Sequence, residues 1–342
     1  MAGFGPYLLH RHARPFILRD MSSQPTWGVV STIKAPAQDI LNFAAYHLDL
    51  GAKRIFIYLD VPNDAAFAAL KDHPKCRVIV TNDGYWKRRK GRPEKHQPRQ
   101  TANATHCYNR DPQVDWLAHI DADEFLWSPG ARAIDHQLAD VTPAARSARV
   151  KPIEALEADA HDPPAPGQTW CKGFSRHLRP RRTETNAIYP TYGDHLNGGF
   201  LSHVAGKVFV RTGQDKVSVR IHNAFFEGEA DPDPAPLENM RLVHMHAHSW
   251  DHFHGLYQFR LTQGSYRESL KPAPMPDGVA LNMNQLFAAL EDEGGEDAVR
   301  AFFKEVCTAT PDLRARLKEY GHLYEVTLDL EAKRRKHFPN AG

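Results

Sequence analysis

The sequence passes from apolar to acidic within one short stretch, Trp116-Leu117-Ala118-His119-Ile120-Asp121-Ala122-Asp123-Glu124-Phe125-Leu126. The predicted strand begins two residues earlier, and residues 114–120 have the composition of a strand buried on both faces. Asp121 and Asp123 follow at positions i and i+2. Two such carboxylates can share one divalent cation, and their hard oxygens suit Mg²⁺ or Mn²⁺, which can also hold a diphosphate. The stretch predicts a metal site at the end of a buried strand. The alternative is an acidic turn that only caps the strand.

Around this stretch, apolar strands alternate with helices. The strands are predicted at residues 27–33, 54–59, 77–81 and 114–120, and the helices at 39–50, 64–71 and 100–109. Strands that are apolar on both faces need cover on both sides, which predicts an α/β fold with a mostly parallel central sheet flanked by helices. Ligands of such sheets bind at the carboxyl ends of the strands. We therefore expect one sheet edge to gather the aspartates that follow the strands: Asp60, Asp83, Asp121 and Asp123.

The second half of the chain follows a different pattern. Residues 198–210 and 217–224 have the pattern of two antiparallel strands joined by a turn, and residues 241–250 alternate as a further strand would. From residue 282 onward the sequence is helical and amphipathic. These patterns predict a smaller antiparallel part and a helical C-terminal extension.

Histidine is unusually frequent, with 20 in 342 residues. On the predicted strand 241–250, His244, His246 and His248 would share one face, because side chains alternate along a strand. Neutral imidazoles ligate metals. We expect one of these histidines to reach a metal or a phosphate. The alternative is a polar strand whose histidines form local hydrogen bonds.

Basic residues are concentrated in residues 87–99, which follow the third predicted strand. This run ends in Arg99, and we expect it to clamp phosphates at the same sheet edge. Lys207 and His222 fall in consecutive predicted strands and are candidates for the same pocket. The chain carries 43 Lys and Arg against 41 Asp and Glu, and no aromatic platform accompanies the basic run, so we expect no nucleic-acid partner.

The cysteines and the hydropathy of the sequence exclude several motifs and indicate a compartment for the protein. The four cysteines are far apart and form no CxxC pair, which excludes a zinc ribbon or a thioredoxin motif. No stretch approaches the ~20 apolar residues of a membrane span, and the first residues do not have the pattern of a signal peptide. We expect a cytoplasmic protein. Peripheral contact with the inner face of a membrane, through the basic termini, is left open.

An ordered series of short motifs runs through residues 26–265. It comprises residues 46–51 (YHLDLG), 57–60 (IYLD), Gln100, Asn103, Cys107, residues 115–125, residues 207–211 (KVFVR), His222, and the His-x4-Ser-Trp-x2-Phe segment of His244, Ser249, Trp250 and Phe253. In this order the motifs resemble the glycosyltransferase family 2-like group, including its branch related to family 92. No single motif is specific, but the series is.

The resemblance implies a GT-A fold and a nucleotide-sugar donor, UDP-linked, bound through Mn²⁺ or Mg²⁺. It assigns Asp121 and Asp123 to the metal and the diphosphate, and His244 to the metal from the other side. It directs Asp60 and Asp83 to the uracil or ribose, and Glu124 to the acceptor or the sugar. The complete predicted set of substrate-binding residues is Asp60, Asp83, Arg99, Gln100, Asp121, Lys207, His222 and His246.

The resemblance also implies how the chain is divided. Residues 1–25 would be an irregular lead-in, and residues 26–270 a GT-A-like domain with a nucleotide-binding half (26–130) and an acceptor half (131–270). Residues 271–342 would form the helical extension. The partners implied are the donor and a glycan or lipid-linked acceptor, as in polysaccharide biosynthesis.

An inverting transfer, which the family 2 likeness implies, needs a base that takes the proton of the acceptor hydroxyl. The sequence contains no clear base motif of the Glu-Asp type. Glu227 is favoured because it follows the strand of His222 and precedes a flexible loop. The other candidates are Asp194, Glu154 and His222, and Glu124 completes the predicted catalytic set.

Two other functions fit the same residues. A metal-dependent hydrolase could be built on the cluster of His244, His246 and His248. A non-catalytic nucleotide- or carbohydrate-binding protein would share the donor site and lack turnover.

Overall fold

The structure is a computed structural model that describes residues 24–264, 266 and 281–341. Residues 1–23 of the predicted lead-in and residues 271–280 of the predicted extension lie outside the described residues. The expected α/β fold is confirmed, with a mostly parallel central sheet, flanking helices, a small antiparallel sheet and C-terminal helices. None of the described helices combines the length and the apolar character that crossing a membrane requires.

The first part of the chain alternates strand and helix. Its elements are β1 (Trp27–Ile33), α1 (Ala37–Asp49), β2 (Arg54–Leu59), α2 (Asp64–Asp72), β3 (Cys76–Val80), α3 (Asp83–Lys87), α4 (His96–Asn109) and β4 (Trp116–His119). The four strands are parallel and lie in the order β4-β1-β2-β3. Their carboxyl ends therefore meet at one edge of the sheet, as the strand pattern predicts.

The next elements extend this sheet and add a second one. They are β5 (Glu124–Trp127), α5 (Ile134–Ala139), β6 (Ser147–Ala155), β7 (Gln168–Lys172), α6 (Leu178–Ile188), β8 (Lys207–Arg211), β9 (Val217–Val219), β10 (Ala224–Phe226), β11 (Glu229–Ala230) and β12 (Ala235–His244). Strand β8 lies between β4 and β6 and is antiparallel to both. Strand β12 pairs with β6 in parallel and with β5 antiparallel. Strands β9, β10 and β11 form the small antiparallel sheet.

The predicted pair of strands at 198–210 and 217–224 is wrong in extent and in partner. Residues 198–206 are irregular, because Gly198, Gly199 and Gly206 have φ between +70° and +78°, which an extended strand does not allow. A Cβ on Gly206 would lie 2.0 Å from the carbonyl oxygen of Val150, so the close approach of two backbones requires glycine there. Both edges of β8 are already paired, and β9 therefore pairs with β10 instead.

The predicted strand 241–250 is also wrong at its end, because β12 stops at His244. Met245 N–H donates to the carbonyl oxygen of Asp123 (2.9 Å), and the chain then turns. Ser249 Oγ accepts a hydrogen bond from the backbone N–H of His252 and caps the next helix. His246 and His248 consequently lie in a turn, and the three histidines do not share a strand face.

The C-terminal elements return to the main body of the fold. They are α7 (Trp250–Thr262), α8 (Met283–Cys307), α9 (Pro311–Glu319), β13 (Leu323–Thr327) and α10 (Leu330–His337). Strand β13 pairs antiparallel with β7, so this part of the chain also supplies an edge strand to the central sheet. Helix α10 packs on α1, where Lys336 Nζ lies 2.5 Å from Asp49 Oδ1.

Helix α1 fixes the strand that carries the end of the acidic stretch. Its apolar face, including Phe43, is fully buried against the sheet. On the same helix, Tyr46 Oη donates to the carbonyl oxygen of Leu126 in β5 (2.8 Å). His47 Nδ1 donates to the carbonyl oxygen of Phe43, and His47 Nε2 accepts from Leu126 N–H at 3.4 Å. Two side chains of the YHLDLG motif therefore hold β5 in place.

Candidate active site

A cleft of about 1490 Å³ opens at the carboxyl ends of the parallel strands. Asp60 lies on its wall just after β2, and Asp123 lies there just after β4. Arg99 and Gln100 of α4 line the same cleft. The opposite wall includes residues from the turn and helix that follow β12. Two of the strand-end aspartates predicted to gather at one sheet edge are thus brought into one cavity.

The acidic stretch forms a tight turn between β4 and β5. The backbone N–H of Glu124 donates to the carbonyl oxygen of Asp121 (3.1 Å), and Asp121 N–H donates to Glu124 Oε2 (2.8 Å). Glu124 is fully buried, whereas the side chain of Asp123 is 43% exposed. The turn therefore directs one carboxylate inward and leaves Asp123 accessible from the cleft.

A buried lysine lies beneath this turn. Lys207 begins β8, which pairs next to β4, and its side chain is 1% exposed. Its Nζ lies 2.6 Å from Asp121 Oδ2 and 3.3 Å from Glu124 Oε2. Gln100 Nε2 donates to the other oxygen of Asp121 (2.6 Å). Both oxygens of Asp121 are thus bound to the protein itself.

The charges in this group stabilise one another. Burial alone would raise the pKa of Asp121 and of Glu124, but the Lys207 ammonium outweighs burial and holds both pKa values below their usual range. Burial alone would lower the pKa of Lys207, and the two carboxylates instead raise it. All three groups are therefore charged at neutral pH.

Asp123 faces His244, the last residue of β12. His244 Nε2 lies 3.3 Å from Asp123 Oδ2, and His244 Nδ1 lies 3.2 Å from Ser202 Oγ. Burial would raise the pKa of Asp123, but the imidazole lowers it. Burial would lower the pKa of His244, but Asp123 raises it to about 9. His244 thus contacts Asp123, and its role as a metal ligand stays a prediction.

His203 completes a cluster that the sequence did not suggest. Potential ligand atoms of Glu124, His203 and His244 all lie within 4.8 Å of one another. His203 follows a loop whose amides bind a buried carboxylate: Leu201 N–H and Ser202 N–H donate to Glu154 at 3.1 and 2.7 Å. The loop has no periodic pattern, so no sequence signal identifies His203.

The donor atoms of this cluster fit a divalent cation. In the described part of the chain, Glu124 Oε1 and both ring nitrogens of His203 are buried and form no hydrogen bond. Glu124 Oε1 lies 3.6 Å from His203 Nε2, which is an ion-pair distance but too long for a hydrogen bond. Buried polar atoms without partners are rare in proteins and call for an unseen water or ion. Carboxylate oxygens and imidazole nitrogens are ligands for Mn²⁺ and Zn²⁺, and oxygens alone suit Mg²⁺.

The comparison with known families agrees with this geometry. The sequence pattern of glycosyltransferase family 92 matches residues 30–272, well over half of the 342-residue chain. The chain belongs to glycosyltransferase family 92. It is therefore a glycosyltransferase, and the resemblance stated from its motifs is confirmed. A search of curated proteins found no match.

In this family 92 enzyme, Asp60 holds the basic loop at the mouth of the cleft. Arg99 donates to both oxygens of Asp60 through Nε and Nη2 (2.8–3.1 Å), and Arg92 Nη2 donates to Oδ1 (2.9 Å). Arg99 Nη1 donates to the carbonyl oxygens of Pro93 and Glu94. Every nitrogen of the Arg99 guanidinium is thus bound within the protein, and this bidentate pair orders the loop.

The favoured bases of the family 92 enzyme lie away from the cleft. Glu227, in the turn between β10 and β11, is 74% exposed and pairs with Lys216 at 3.2 Å. Asp194 lies in the 3₁₀ turn after α6 and accepts a hydrogen bond from Asn186 Nδ2 (2.6 Å). Neither residue lines the cleft or joins the acidic cluster in the described structure. Their catalytic roles stay predictions.

The remaining predicted residues are distributed around the cluster. His222 lies against His203, with ring centroids 3.9 Å apart, and its Nδ1 donates to the carbonyl oxygen of Gly206. His246 is buried beside His244 and contacts Tyr266 Oη through Nε2 (2.9 Å). Asp83 is exposed in the first turn of α3 and does not line the cleft.

Two further histidines line the cleft. His248 and His252 have ring centroids 4.6 Å apart, and both lie on its wall. His248 Nδ1 bonds the carbonyl oxygen of Met245 (2.9 Å). A carbonyl only accepts, so Nδ1 carries the proton and Nε2 keeps a lone pair. The sequence pattern assigned His248 to a metal-binding strand face and gave His252 no role.

Proposed function

We propose that the protein transfers a sugar from a nucleotide diphosphate, UDP-linked, to a hydroxyl group of a glycan or lipid-linked acceptor, with inversion and with the help of Mn²⁺ or Mg²⁺. The observation that carries this proposal is the pairing of Asp123, which lines the cleft, with the buried His244, next to the buried Glu124 in the chain. Family membership supports the class of reaction. The cleft geometry supports the donor site.

Asp123, Glu124 and His244 would hold the cation, with His203 beside them. The cation, when bound, neutralises charge that develops on the leaving diphosphate. Among the ionised groups of the turn, the two carboxylates of Asp121 and Glu124 are balanced in part by Lys207. Asp123 is paired with His244, whose pKa it raises to about 9, so one negative charge of the three carboxylates stays unbalanced and favours a cation. On binding the cation, His244 would release its proton.

Asp121 has a supporting part in this proposal. Because both of its oxygens are bound, by Gln100 and by Lys207, it is less available as a direct metal ligand than Asp123. Its contacts instead fix the turn and bring Gln100 of α4 to the cleft. We assign Gln100 to the donor side of the cleft. Asp121 would position both Gln100 and the turn that carries Asp123.

The basic loop would close one side of the donor site. Asp60 orders it through Arg92 and Arg99, so these two guanidinium groups are held near the cleft without being free. The nucleotide would then meet backbone groups of the loop and the side chain of Lys95, which lines the cleft. In this assignment Asp60 lies at the nucleotide end of the cleft, as the resemblance implies. It would act on the nucleotide indirectly, by ordering the loop.

For the base, His248 has a position that Glu227 lacks. Its Nε2 lone pair lies on a residue that lines the cleft, and the hydrogen bond to Met245 fixes its tautomer. A general base must come within hydrogen-bond reach of the acceptor hydroxyl. We assign proton removal to His248, in competition with the sequence-based candidate Glu227.

A thermal-shift series tests the donor site. The protein is melted with UDP, GDP and their common sugar conjugates, each with Mn²⁺ or with EDTA. We expect stabilisation by at least one nucleotide diphosphate with Mn²⁺, and its loss in Asp123→Asn. The exposed Asp83→Asn is the matched control and should melt like the parent in every condition.

Product analysis separates the alternatives. A transferase releases the nucleotide diphosphate only when it transfers or hydrolyses the sugar, whereas a binding protein gives stabilisation without turnover. The hydrolase built on the histidines predicts metal binding that survives Asp123→Asn. No stabilisation by any nucleotide diphosphate would overturn the proposal.

A further inference from the structure

A second cavity, of about 660 Å³, lies on the face of β2 and β3 that α3 and α4 cover. It shares no lining residue with the cleft. Arg54 begins β2 and Arg77 lies near the start of β3, so the cavity extends to the amino ends of the strands. Asp60, at the cleft, is six residues from Arg54, or roughly 20 Å along an extended strand. The two cavities are therefore separate sites.

Arginine dominates the lining of this arginine pocket. Its five guanidinium groups come from four different parts of the chain: Arg54, Arg77, Arg88, Arg89 and Arg110. Asp111 is the one carboxylate among the described residues that line it. In the described residues, none of the five arginines forms an ion pair with a carboxylate. Arg92 and Arg99, from the same basic run as Arg88, are by contrast both paired with Asp60.

The floor of the arginine pocket is aromatic. Phe56 and Tyr58 alternate with buried residues along β2 and point to the pocket side with Tyr85 of α3. The guanidinium of Arg89 stacks on the Tyr85 ring at 3.7 Å and donates to the Tyr85 carbonyl oxygen (3.0 Å). Such a stacked guanidinium keeps edge N–H groups available in a fixed plane.

Other arginines of the pocket are also partly ordered. Arg54 donates to Gln113 Oε1 (3.4 Å), and Arg77 donates to the carbonyl oxygens of Pro74 and Cys76. These neutral contacts orient the side chains without neutralising their charge. No side-chain hydrogen bond or ion pair holds Arg88 or Arg110 within the part of the chain that is described. They can turn toward a ligand.

A histidine in the arginine pocket is affected by the positive charge around it. His106 of α4 lines the pocket, and its Nδ1 lies 2.8 Å from Tyr58 Oη. Burial, with the charges of Arg89 and Arg110, lowers the pKa of His106 to about 4. The histidine is therefore neutral, and a ligand that brings negative charge would relieve the repulsion among the arginines.

We propose that the arginine pocket binds a phosphate or diphosphate group, held by Arg88, Arg110 and the ordered arginines, with the ligand's remainder lying on the aromatic floor. Arginine guanidinium groups bind phosphate through paired hydrogen bonds, and aromatic rings give contact area to an organic group beside it. The phosphate comes either from a soluble phosphorylated compound or from a phospholipid head group. This site is independent of the donor cleft and of its metal.

The test compares the full chain with Arg88→Ala/Arg110→Ala. Both side chains are exposed and make no side-chain hydrogen bond to the described residues, so we expect this double variant to fold like the parent. The control is Arg179→Ala/Arg335→Ala, which removes two exposed arginines elsewhere. Inorganic pyrophosphate is titrated into each protein by calorimetry in EDTA, which removes metal-dependent binding at the cleft. Each protein is also sedimented with phosphatidylcholine vesicles that contain phosphatidic acid, and with phosphatidylcholine vesicles alone.

A rise of about tenfold in the pyrophosphate Kd, in the pocket variant and not in the control, supports the site. If phosphatidic acid vesicles also sediment the parent and not the pocket variant, the source is a head group; if they do not, it is soluble. Equal binding by all three proteins, or an equal loss in both variants, overturns the proposal. Stabilisation by UDP with Mn²⁺ should persist in the pocket variant, which keeps this outcome separate from the donor site.

Discussion

Lys207 Nζ lies 2.6 Å from Asp121 Oδ2, and both groups are held beneath the turn that carries Asp123. The first aspartate of the acidic pair is thus balanced by a cation of the chain itself. The second is accessible and faces His244. Residues that look equivalent in the sequence therefore have different electrostatic environments, and substitution should separate their functions.

Removal of Lys207 should destabilise the fold strongly. In Lys207→Met, the carboxylates of Asp121 and Glu124 stay buried without their cation, and breaking a buried pair in this way costs about 3–5 kcal/mol. The free energy of unfolding is measured in urea at pH 7. Lys216→Met breaks the exposed pair with Glu227 and should change it by less than about 1 kcal/mol. Equal losses of unfolding free energy in both variants would show that the buried ion pairs of Lys207 stabilise the fold no more than the exposed pair of Lys216.

Metal binding should depend on Asp123 more than on Asp121. We expect Asp123→Asn and His244→Ala each to weaken Mn²⁺ binding by at least about tenfold, because the two side chains lie 3.3 Å apart and would share the cation. Asp121→Asn keeps the shape of the side chain and one of the two acceptor oxygens, and it should weaken Mn²⁺ binding less, because Gln100 and Lys207 already occupy the carboxylate of Asp121. Electron paramagnetic resonance of free Mn²⁺ gives the dissociation constants without any need for turnover.

Two controls sharpen this comparison. Asp83→Asn, exposed in α3, should bind Mn²⁺ like the parent. Glu124→Gln tests whether the buried carboxylate ligates, because it keeps the shape of the side chain and removes its charge. An Asp121→Asn variant that loses Mn²⁺ more severely than Asp123→Asn would show that the Lys207 contact does not withdraw Asp121 from the metal.

The sequence predicted the parts of this site that follow from local patterns. The apolar run before Asp121 and the helices between the strands determine which edge carries Asp60 and Asp123, because parallel strands end together. The position of His203 could not be predicted, since it depends on the binding of two loop amides by the buried Glu154. The residues next to His203 in the sequence have no pattern that indicates this contact.

The errors have a related cause. The composition of residues 217–224 indicates a strand but not the strand with which it pairs. Because both edges of β8 are already paired, the predicted hairpin with β8 is wrong. Alternation in residues 241–250 likewise does not show that Met245 binds the acidic turn and bends the chain. Both outcomes are decided by contacts between segments more than 50 residues apart in sequence.

Acid should destabilise the protein through His47. Burial lowers the pKa of His47 to about 4, against 6.5 in an exposed histidine, because a buried imidazolium loses its hydration; the hydrogen bond to the Phe43 carbonyl opposes this shift. The unfolded chain therefore binds the proton first. This contribution to stability is complete above pH 6.5 and is lost as the pH falls toward 4, by about 3 kcal/mol at most.

Urea unfolding at pH 7 and at pH 4.5 measures this loss. His47→Gln keeps a donor and an acceptor but cannot titrate, so it should be less stable at pH 7 and show a smaller difference between the two pH values. His161→Gln, in an exposed loop, is the control and should leave the difference unchanged. An unaltered difference in His47→Gln would assign the acid sensitivity to other groups.

The identity of the base is the last question that substitution can answer. His248 lines the cleft with a lone pair on Nε2, whereas Glu227 is 74% exposed in the turn between β10 and β11. Loss of a general base costs about 10²–10⁴ in rate. We expect His248→Ala to lower kcat by about 100-fold while nucleotide binding with Mn²⁺ is kept, and Glu227→Gln to retain near-parental kcat.

Two readouts distinguish a base from a merely structural residue. Added imidazole should restore part of the rate of His248→Ala, and KM for the donor should change little while kcat falls. His254→Ala removes a histidine that is 49% exposed on the same helix as His252 and should keep the parental kcat. If instead Glu227→Gln loses about 100-fold and His248→Ala does not, the turn between β10 and β11 must move to the cleft during the reaction, and the sequence-based choice of Glu227 is the correct one.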